Sequence, residues 1–257
     1  MKQELVVIKI GGNVVDNPAV LSQVLKDFAA IDTKKILVHG GGKIADVLLK
    51  KLQIEPKKIE GRRITDEDTL DVVTMVYAGL INKKIVAQLQ ANDCNALGLT
   101  GADLNSILAH KRSKGSIDYG FAGDIDAVNT EGLSGLLEIA QTIVFAPITH
   151  DKKGQLLNTN ADTIASMLAV GLSEKYDVTL KYCFEKQGVL SDVNDDNSVI
   201  PNIGYEAFQK GKADGIFFEG MIPKLDNAFN AMKNGVKSVV ICGTEGVVKE
   251  IGTRLIL

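Results

Sequence analysis

Two short apolar runs, at residues 5–10 and 36–39, each end on a cluster of glycines, Gly11-Gly12 and Gly40-Gly41-Gly42. A run without polar alternation is the pattern of a strand buried on both faces, which occurs in parallel sheets covered by helices. Helical spacing fills the intervals. It is visible at 18–30 and again at about 43–52, where Ile44, Val47, Leu48 and Leu52 share one face. A longer helical stretch, as one helix or two, spans 66–91. Further strands are expected near 96–99, 107–111, 143–148, 178–181 and 238–241. Strands alternating with helices imply an α/β fold, a three-layer αβα sandwich with a mostly parallel central sheet. Residues 117–130 (IDYGFAGDIDAVNT) are short, glycine-broken and alternating, which predicts a β-hairpin excursion. No Pro- or Ser-rich linker interrupts the chain, so any two lobes must pack tightly. The best seam is 171–177, dividing the chain into 1–174 and 175–257.

Composition narrows the partners. The 257 residues carry a formal net charge of -3, so no global positive field exists to hold a nucleic acid. Cys94, Cys183 and Cys242 have no C-x-x-C spacing, and His39, His110 and His150 are equally dispersed. No zinc-ligand cluster can be written from them, and the cysteines read as core thiols of a reducing compartment. The first apolar run meets Lys9 too early for a signal peptide or a membrane span. A soluble, cytoplasmic protein is the expectation.

Four segments hold residues in electrostatically unusual places. In VVIKIGGN, Lys9 lies inside a central strand, where an unpaired ammonium is costly. It either snorkels out at the strand end or aims at an anion over Gly11 and Gly12. In VHGGGKIADVLL, glycines meet a helix N-terminus, an arrangement that binds anions. Gly40-x-Gly42-x-x-Ala45 also satisfies a loose dinucleotide fingerprint, but neither Glu55 nor Glu60 closes the second strand that reading needs. A P-loop is excluded, since Leu37 stands where its first glycine belongs. In LLNTNADTIASMLAVGL, Asn158 or Asn160 can cap a helix, and Asp162 then falls in its first turn, as a capping residue or as a functional carboxylate. In GMIPKLDNAFNAMKNG, Pro223 suits a first helical turn, which leaves Lys224 at the wrong end of the helix dipole. It is either a solvated lysine or one facing a fixed anion. Two anion-binding turns, two misplaced lysines and one carboxylate form the set that phosphoryl transfer requires.

These motifs, with GRRITDEDTLDVVTMVYAGLINKKIV between them, resemble the N-acetylglutamate kinases of the amino acid kinase superfamily, in order and spacing over essentially the whole chain. The resemblance implies an amino acid kinase/carbamate kinase-like fold, with a C-terminal lobe for the nucleotide and an N-terminal lobe for the acylglutamate and the dimer contact. It implies ATP-dependent phosphorylation of the side-chain carboxylate of N-acetyl-L-glutamate, the second step of arginine biosynthesis. It assigns Lys9, Lys224 and Asp162 to catalysis, and Gly41, Gly42, Arg63 and Asn158 to the acylglutamate. The nucleotide falls to Gly11, Gly12, Glu185, Lys186, Gln187, Gly188, Val189, Leu190, Ile216, Phe217 and Phe218. Mg²⁺ would be held mainly by the nucleotide phosphates, with no dedicated protein metal site. A glutamate side chain, with a pKa near ~4.3, is already ionised at neutral pH, so no general base is needed.

Two features depart from that pattern. Where the family has Thr/Ser-Asp-Val and a glycine, this chain reads YCFEKQG, with Glu185 in the aspartate's place and Lys186 in the valine's. The first strand also begins near Glu4, without the extra N-terminal helix of arginine-inhibited hexamers, which implies an arginine-insensitive homodimer. Three other readings stay open on the residues alone. They are a related kinase of another substrate, the same chemistry on N-succinyl-L-glutamate, and a non-catalytic sensor of an amino acid or nucleotide. Retention of Lys9, Asp162 and Lys224 together argues against the sensor.

Overall fold

The computed structural model describes residues 2–59, 61–192, 194–217 and 221–257. Strand β1 (Gln3–Ile10) runs into Gly11 and a short helix, α1 (Gly12–Asp16), so the first glycine pair opens a helix rather than a bare turn. Asn17 then caps α2 (Pro18–Ala29) by accepting from the amides of Ala19 and Val20, with Pro18 in the first turn. β2 (Lys34–His39) and α3 (Gly42–Lys51) complete the second strand–glycine–helix unit. A small hairpin, β3 (Lys58–Ile59) with β4 (Arg62–Arg63), precedes the long helical stretch. That stretch is one helix in three parts: α4 (Glu67–Thr74), capped by Asp66, a π-helical segment (Met75–Ile81), and α5 (Asn82–Gln90).

β5 (Ala96–Leu99) returns to the main sheet, and β6 (Ile107–Lys111) and β7 (Ala122–Val128) form an antiparallel pair. The expected hairpin is therefore displaced. Residues 117–130 supply only its second strand, and β6 is the first. After α6 (Thr130–Ala140), the apolar run at 143–148 proves to be two strands, not one: β8 (Thr142–Phe145) and β9 (Ile148–His150). Pro147, with no N–H to donate, breaks the ladder and sends β9 into a different sheet. β10 (Leu156–Thr159) leads to α7 (Ala161–Leu172), then β11 (Tyr176–Cys183), β12 (Asn202–Gly204), α8 (Tyr205–Ala213), α9 (Ile222–Lys233), β13 (Ser238–Cys242) and β14 (Thr253–Ile256).

The main sheet has eight strands in the order β12-β14-β13-β11-β1-β2-β8-β5, and β10-β7-β6-β9 close a small barrel beside it. Every ladder of the main sheet is parallel except β13–β14. Alternation along β1 sorts the layers. Leu5 and Val7 join a core with residues of α6, α7, α8 and α9, whereas Ile8 and Ile10 join one with α1 to α5. The protein is thus a three-layer αβα sandwich. By parity Lys9 points, with Leu5 and Val7, toward α7 and α9. Among the described residues no helix is long and apolar enough to cross a membrane.

Candidate active site

β1 sets Lys9 beside Tyr182 of β11 and Val38 of β2. Lys9 is buried, and its ammonium meets the Asp162 carboxylate at 2.7 Å. Asp162 reaches that position because Asn160, not Asn158, caps α7, accepting from the amides of Asp162 and Thr163. The first turn of α7 thereby stands over the end of β1. The Tyr182 hydroxyl donates to the Asp162 carbonyl at 3.3 Å, and burial pushes its ionisation far above the usual tyrosine range.

Lys224, in the first turn of α9, comes to the same place. Its ammonium lies 4.2 Å from the centre of the Phe184 ring, and the Lys9 ammonium lies 5.3 Å from the same ring. Burial pushes Lys224 below the usual lysine range. Asp162 opposes that shift, Lys9 adds to it, and Glu185 opposes it again. The two lysines that the dipole and burial rules marked as misplaced therefore share one ring and one carboxylate.

The glycine turns abut one another. Gly40 donates to the Ile10 carbonyl, Gly11 to that of Cys183, and a Cβ on Gly40 would lie 3.4 Å from the Gly12 nitrogen. Gly41 adopts φ +153°, and a side chain there would collide with Ile81 of the π-helical segment, so only glycine lets that segment close on the turn. The same segment presents Tyr77 to a cleft of about 230 Å³ lined by Gly41, Gly42, Arg63 and Asn158 together with Asn160 and Ala161, the neighbours of Asp162. The acylglutamate residues expected from the sequence are thus gathered in one cavity, which reaches Ala161, the residue before Asp162.

Within it, Arg63 is buried and donates through Nη2 to the Gly42 carbonyl at 3.0 Å, with Asp46 Oδ1 at 2.7 Å. Its Nη1 is buried without a partner. Burial pushes the Asp46 carboxyl up, but hydrogen bonds from Lys58 and Arg63 outweigh it and hold the group below the usual carboxylate range. Asn158 is fixed by its own donation to Thr65 Oγ1 at 3.0 Å. Beneath the turn, His39 is fully buried next to Asn82. Desolvation lowers its pKa to about 4, so it stays neutral and takes no charge in the site.

The residues expected at the nucleotide are more scattered. Glu185 accepts from Asn13 at 2.7 Å, and Asn13 in turn accepts from Lys43, a bridge between β11 and the two glycine turns. Lys186 pairs with Asp196 at 2.6 Å, and Gln187 packs on Gly243. Gly188 sits against Thr253, whose hydroxyl accepts from the Val189 amide, while the Val189 side chain is buried in the core. Leu190 bridges to Val199. Ile216 is 58% exposed, and Phe217 packs on Phe208. Phe218 lies outside the described residues.

Sequence reasoning missed Asn13, Lys43, Asp46, Lys58, Tyr77, Arg112 and Phe184. Asp46 was accessible in principle, one helical turn after Gly42. Arg112 enters the cleft from the small barrel, which no local pattern announces. With Lys58, Arg62 and Arg63 it gives the cleft four cations; no carboxylate lines it among the described residues, but Asp46 pairs with Lys58 and Arg63, and Asp124 with Arg112, from behind.

Residues 4–243 match the description of the amino acid kinase family. The chain is 54% identical to the acetylglutamate kinase of Cytophaga hutchinsonii over 261 residues, covering 99% of each chain. It is also 54% identical to that of Bacteroides fragilis over 255 residues, covering 99% of this chain and 98% of the relative. Among solved structures, a carbamate kinase from Giardia lamblia bound to AMP-PNP shares the fold, with a TM-score of 0.71 and 16% identity, covering 99% of this chain and 98% of that one.

Proposed function

We propose that this chain, which belongs to the amino acid kinase family, transfers the γ-phosphoryl group of ATP to the side-chain carboxylate of N-acetyl-L-glutamate, as its relatives' name, acetylglutamate kinase, indicates. The observation that carries the reading is a buried Lys9–Asp162 pair whose carboxylate follows directly on Asn160 and Ala161, lining residues of a cleft that also holds cations. An acylglutamate is a dianion, and the unpartnered Arg63 Nη1 is a donor for its α-carboxylate. Asn158 is the neutral partner for the acyl amide. The side-chain carboxylate then points to the cluster of Lys9, Lys224 and Asp162.

The carboxylate is its own nucleophile, so catalysis is positioning and charge neutralisation. Lys9 and Lys224 neutralise charge on the equatorial phosphoryl oxygens, and Asp162 keeps Lys9 aimed. The amides of Gly12, Gly41 and Gly42 face the phosphates, while the Gly11 amide is taken up by the Cys183 carbonyl and shapes the turn. The hard oxygen donors beside the lysines are Asp162 and Glu185. That sparse set fits Mg²⁺ that takes most of its ligands from nucleotide phosphates and water, where it would supply charge neutralisation. The stretch 185–190 with 216–218 holds the nucleotide, so that the lobe 1–174 takes the acylglutamate and 175–257 the ATP. A cytoplasmic homodimer accompanies this reading. Three free, buried cysteines support the reducing compartment.

A second reading has one observation in its favour. Arg62 and Arg112 line the cleft in addition to Arg63, and although Asp124 already pairs with Arg112, Arg62 adds cation beyond what an acetyl substrate uses. N-Succinyl-L-glutamate, with a third carboxylate, would engage them. The test incubates the protein with ATP, Mg²⁺ and hydroxylamine and offers N-acetylglutamate, N-succinylglutamate, aspartate and glutamate in parallel. Hydroxamate from an acylated glutamate alone is the expected result and names the acyl group. No hydroxamate from any substrate, with ATP still bound, would overturn the kinase reading.

A further inference from the structure

Phe184 has no role in the chemistry above, yet both lysines of the cluster lie against its ring. It follows β11, two residues after Tyr182, and its amide donates to the Cys242 carbonyl at 2.9 Å. Its ring lies parallel to that of Tyr182, with an interplanar angle of 1°. A Cβ on Gly11 would stand 3.6 Å from its Cδ1, so the ring forms a wall of the first glycine turn. Both ammonium groups lie over that ring, Lys224 at 4.2 Å and Lys9 at 5.3 Å.

Two ammoniums placed together repel, and among the described residues only one carboxylate, Asp162, makes an ion pair with either of them. Asp162 is in contact with Lys9. Among the described residues, neither a hydrogen bond nor an ion pair reaches the Lys224 ammonium, and the Phe184 ring lies 4.2 Å from it. An aromatic face carries partial negative charge and attracts a cation without binding its N–H groups in a fixed direction. A second carboxylate would hold Lys224 too, but it would occupy N–H donors and repel the incoming phosphates. A ring leaves all three donors free for phosphoryl oxygens.

We infer that Phe184 is a positioning residue, whose ring face holds the Lys9 and Lys224 ammoniums close together and aimed before the phosphates arrive. The inference rests on the phosphoryl-transfer reading, and it explains how a half-buried Lys224 persists with no ion pair among the described residues. The charged groups facing Lys224 are Lys9 from β1, Asp162 from α7 and Glu185 from the segment after β11. Of these the two carboxylates favour its charged form and Lys9 opposes it, so the ring's contribution adds to the carboxylates'.

Hydroxamate formation is followed from neutral to alkaline pH in the wild-type chain, Phe184→Leu and Phe184→Tyr. Leucine keeps an apolar contact but has no π face, and tyrosine keeps the face. The expected result is a fall of about tenfold in kcat for Phe184→Leu with little change in KM for ATP, and near wild-type rates for Phe184→Tyr. The alkaline limb of the leucine variant moves to lower pH, because an ammonium without the ring loses its proton more easily. Stepwise fluorination of the phenylalanine ring at position 184 retains shape and drains the negative face. It should lower kcat progressively, and it remains decisive if leucine fails to fold. Unchanged rates on fluorination, or an unmoved alkaline limb in a folded leucine variant, would overturn the inference. A wild-type chain that forms no acyl phosphate would instead overturn the reading on which it rests.

Discussion

Asp162→Asn isolates the charge that holds the cluster together. The substitution keeps the shape of the side chain and removes the anion 2.7 Å from the Lys9 ammonium. At that separation, with an effective dielectric constant of ~20, the attraction is roughly 6 kcal/mol before desolvation is set against it. The Lys9 and Asp162 side chains are only 10% and 16% exposed, so little water is at hand to replace the lost partner. Leaving a buried charge unpaired costs about 3–5 kcal/mol. The lower end applies, since the Phe184 ring face still attracts the ammonium. For a chain of this size, about 3 kcal/mol corresponds to a fall of roughly 10 °C in Tm. Turnover should fall about 10²–10³-fold, because neither lysine is then held against its own repulsion. Thermal unfolding and hydroxamate formation measure the two effects, and Lys9→Met separates pairing from generic damage. In the Lys9→Met background, Asp162→Asn should cost about 2–3 kcal/mol less than in the wild type. A variant melting within about 2 °C of wild type, with kcat within about threefold, would refute the account of the pair as a buried, mutually dependent unit.

Three further outcomes follow from the same geometry. Arg63→Lys retains charge but cannot serve the Gly42 carbonyl, Asp46 and a substrate carboxylate together, so KM for the acylglutamate should rise about 10²-fold with kcat changed only a few-fold, as read by steady-state kinetics. Burial lowers the Lys224 pKa in the folded state, so its contribution to stability is greatest above the ordinary lysine value and is lost as pH falls through the lowered one. Lys224→Met should therefore be more stable than wild type at neutral pH, an advantage that shrinks on the alkaline side in denaturant titrations, while activity is abolished. His39, held neutral with a pKa of about 4 against an ordinary 6.5, makes stability fall as pH drops between those values, by about 3 kcal/mol in total. His39→Gln should flatten that acid arm, and an unchanged arm in urea titrations would show that His39 does not control it.

Much of the scaffold follows from local rules. The uninterrupted apolar runs require strands covered on both faces, and the glycines after them require turns that no side chain could enter. The capping residues Asn17, Asp66 and Asn160 mark where α2, α4 and α7 begin. Lys9 and Lys224 are conspicuous because each breaks a local rule, one by lying in a buried strand and the other by facing the positive end of a helix. Asn158 and Asn160 were interchangeable as caps until β10 formed. Strand pairing through Asn158 then turned its side chain to Thr65 and left the capping to Asn160.

The partners of those residues belong to the tertiary structure. Periodicity and propensity report on neighbours within a few positions, whereas the register of β1 against β11 decides that Lys9 lies next to Tyr182 and under Phe184. The break at Pro147 shows the same limit, because hydrophobicity continues through it while the hydrogen-bond ladder does not. The fourth cation of the cleft, Arg112, arrives only because the small barrel closes beside the main sheet. Sequence alone thus determined the layers, the glycine turns and the residues that violate burial and dipole rules, since each of these is a local energetic statement. Tertiary structure decided which charges meet, because that depends on strand register and on helices docking from distant parts of the chain.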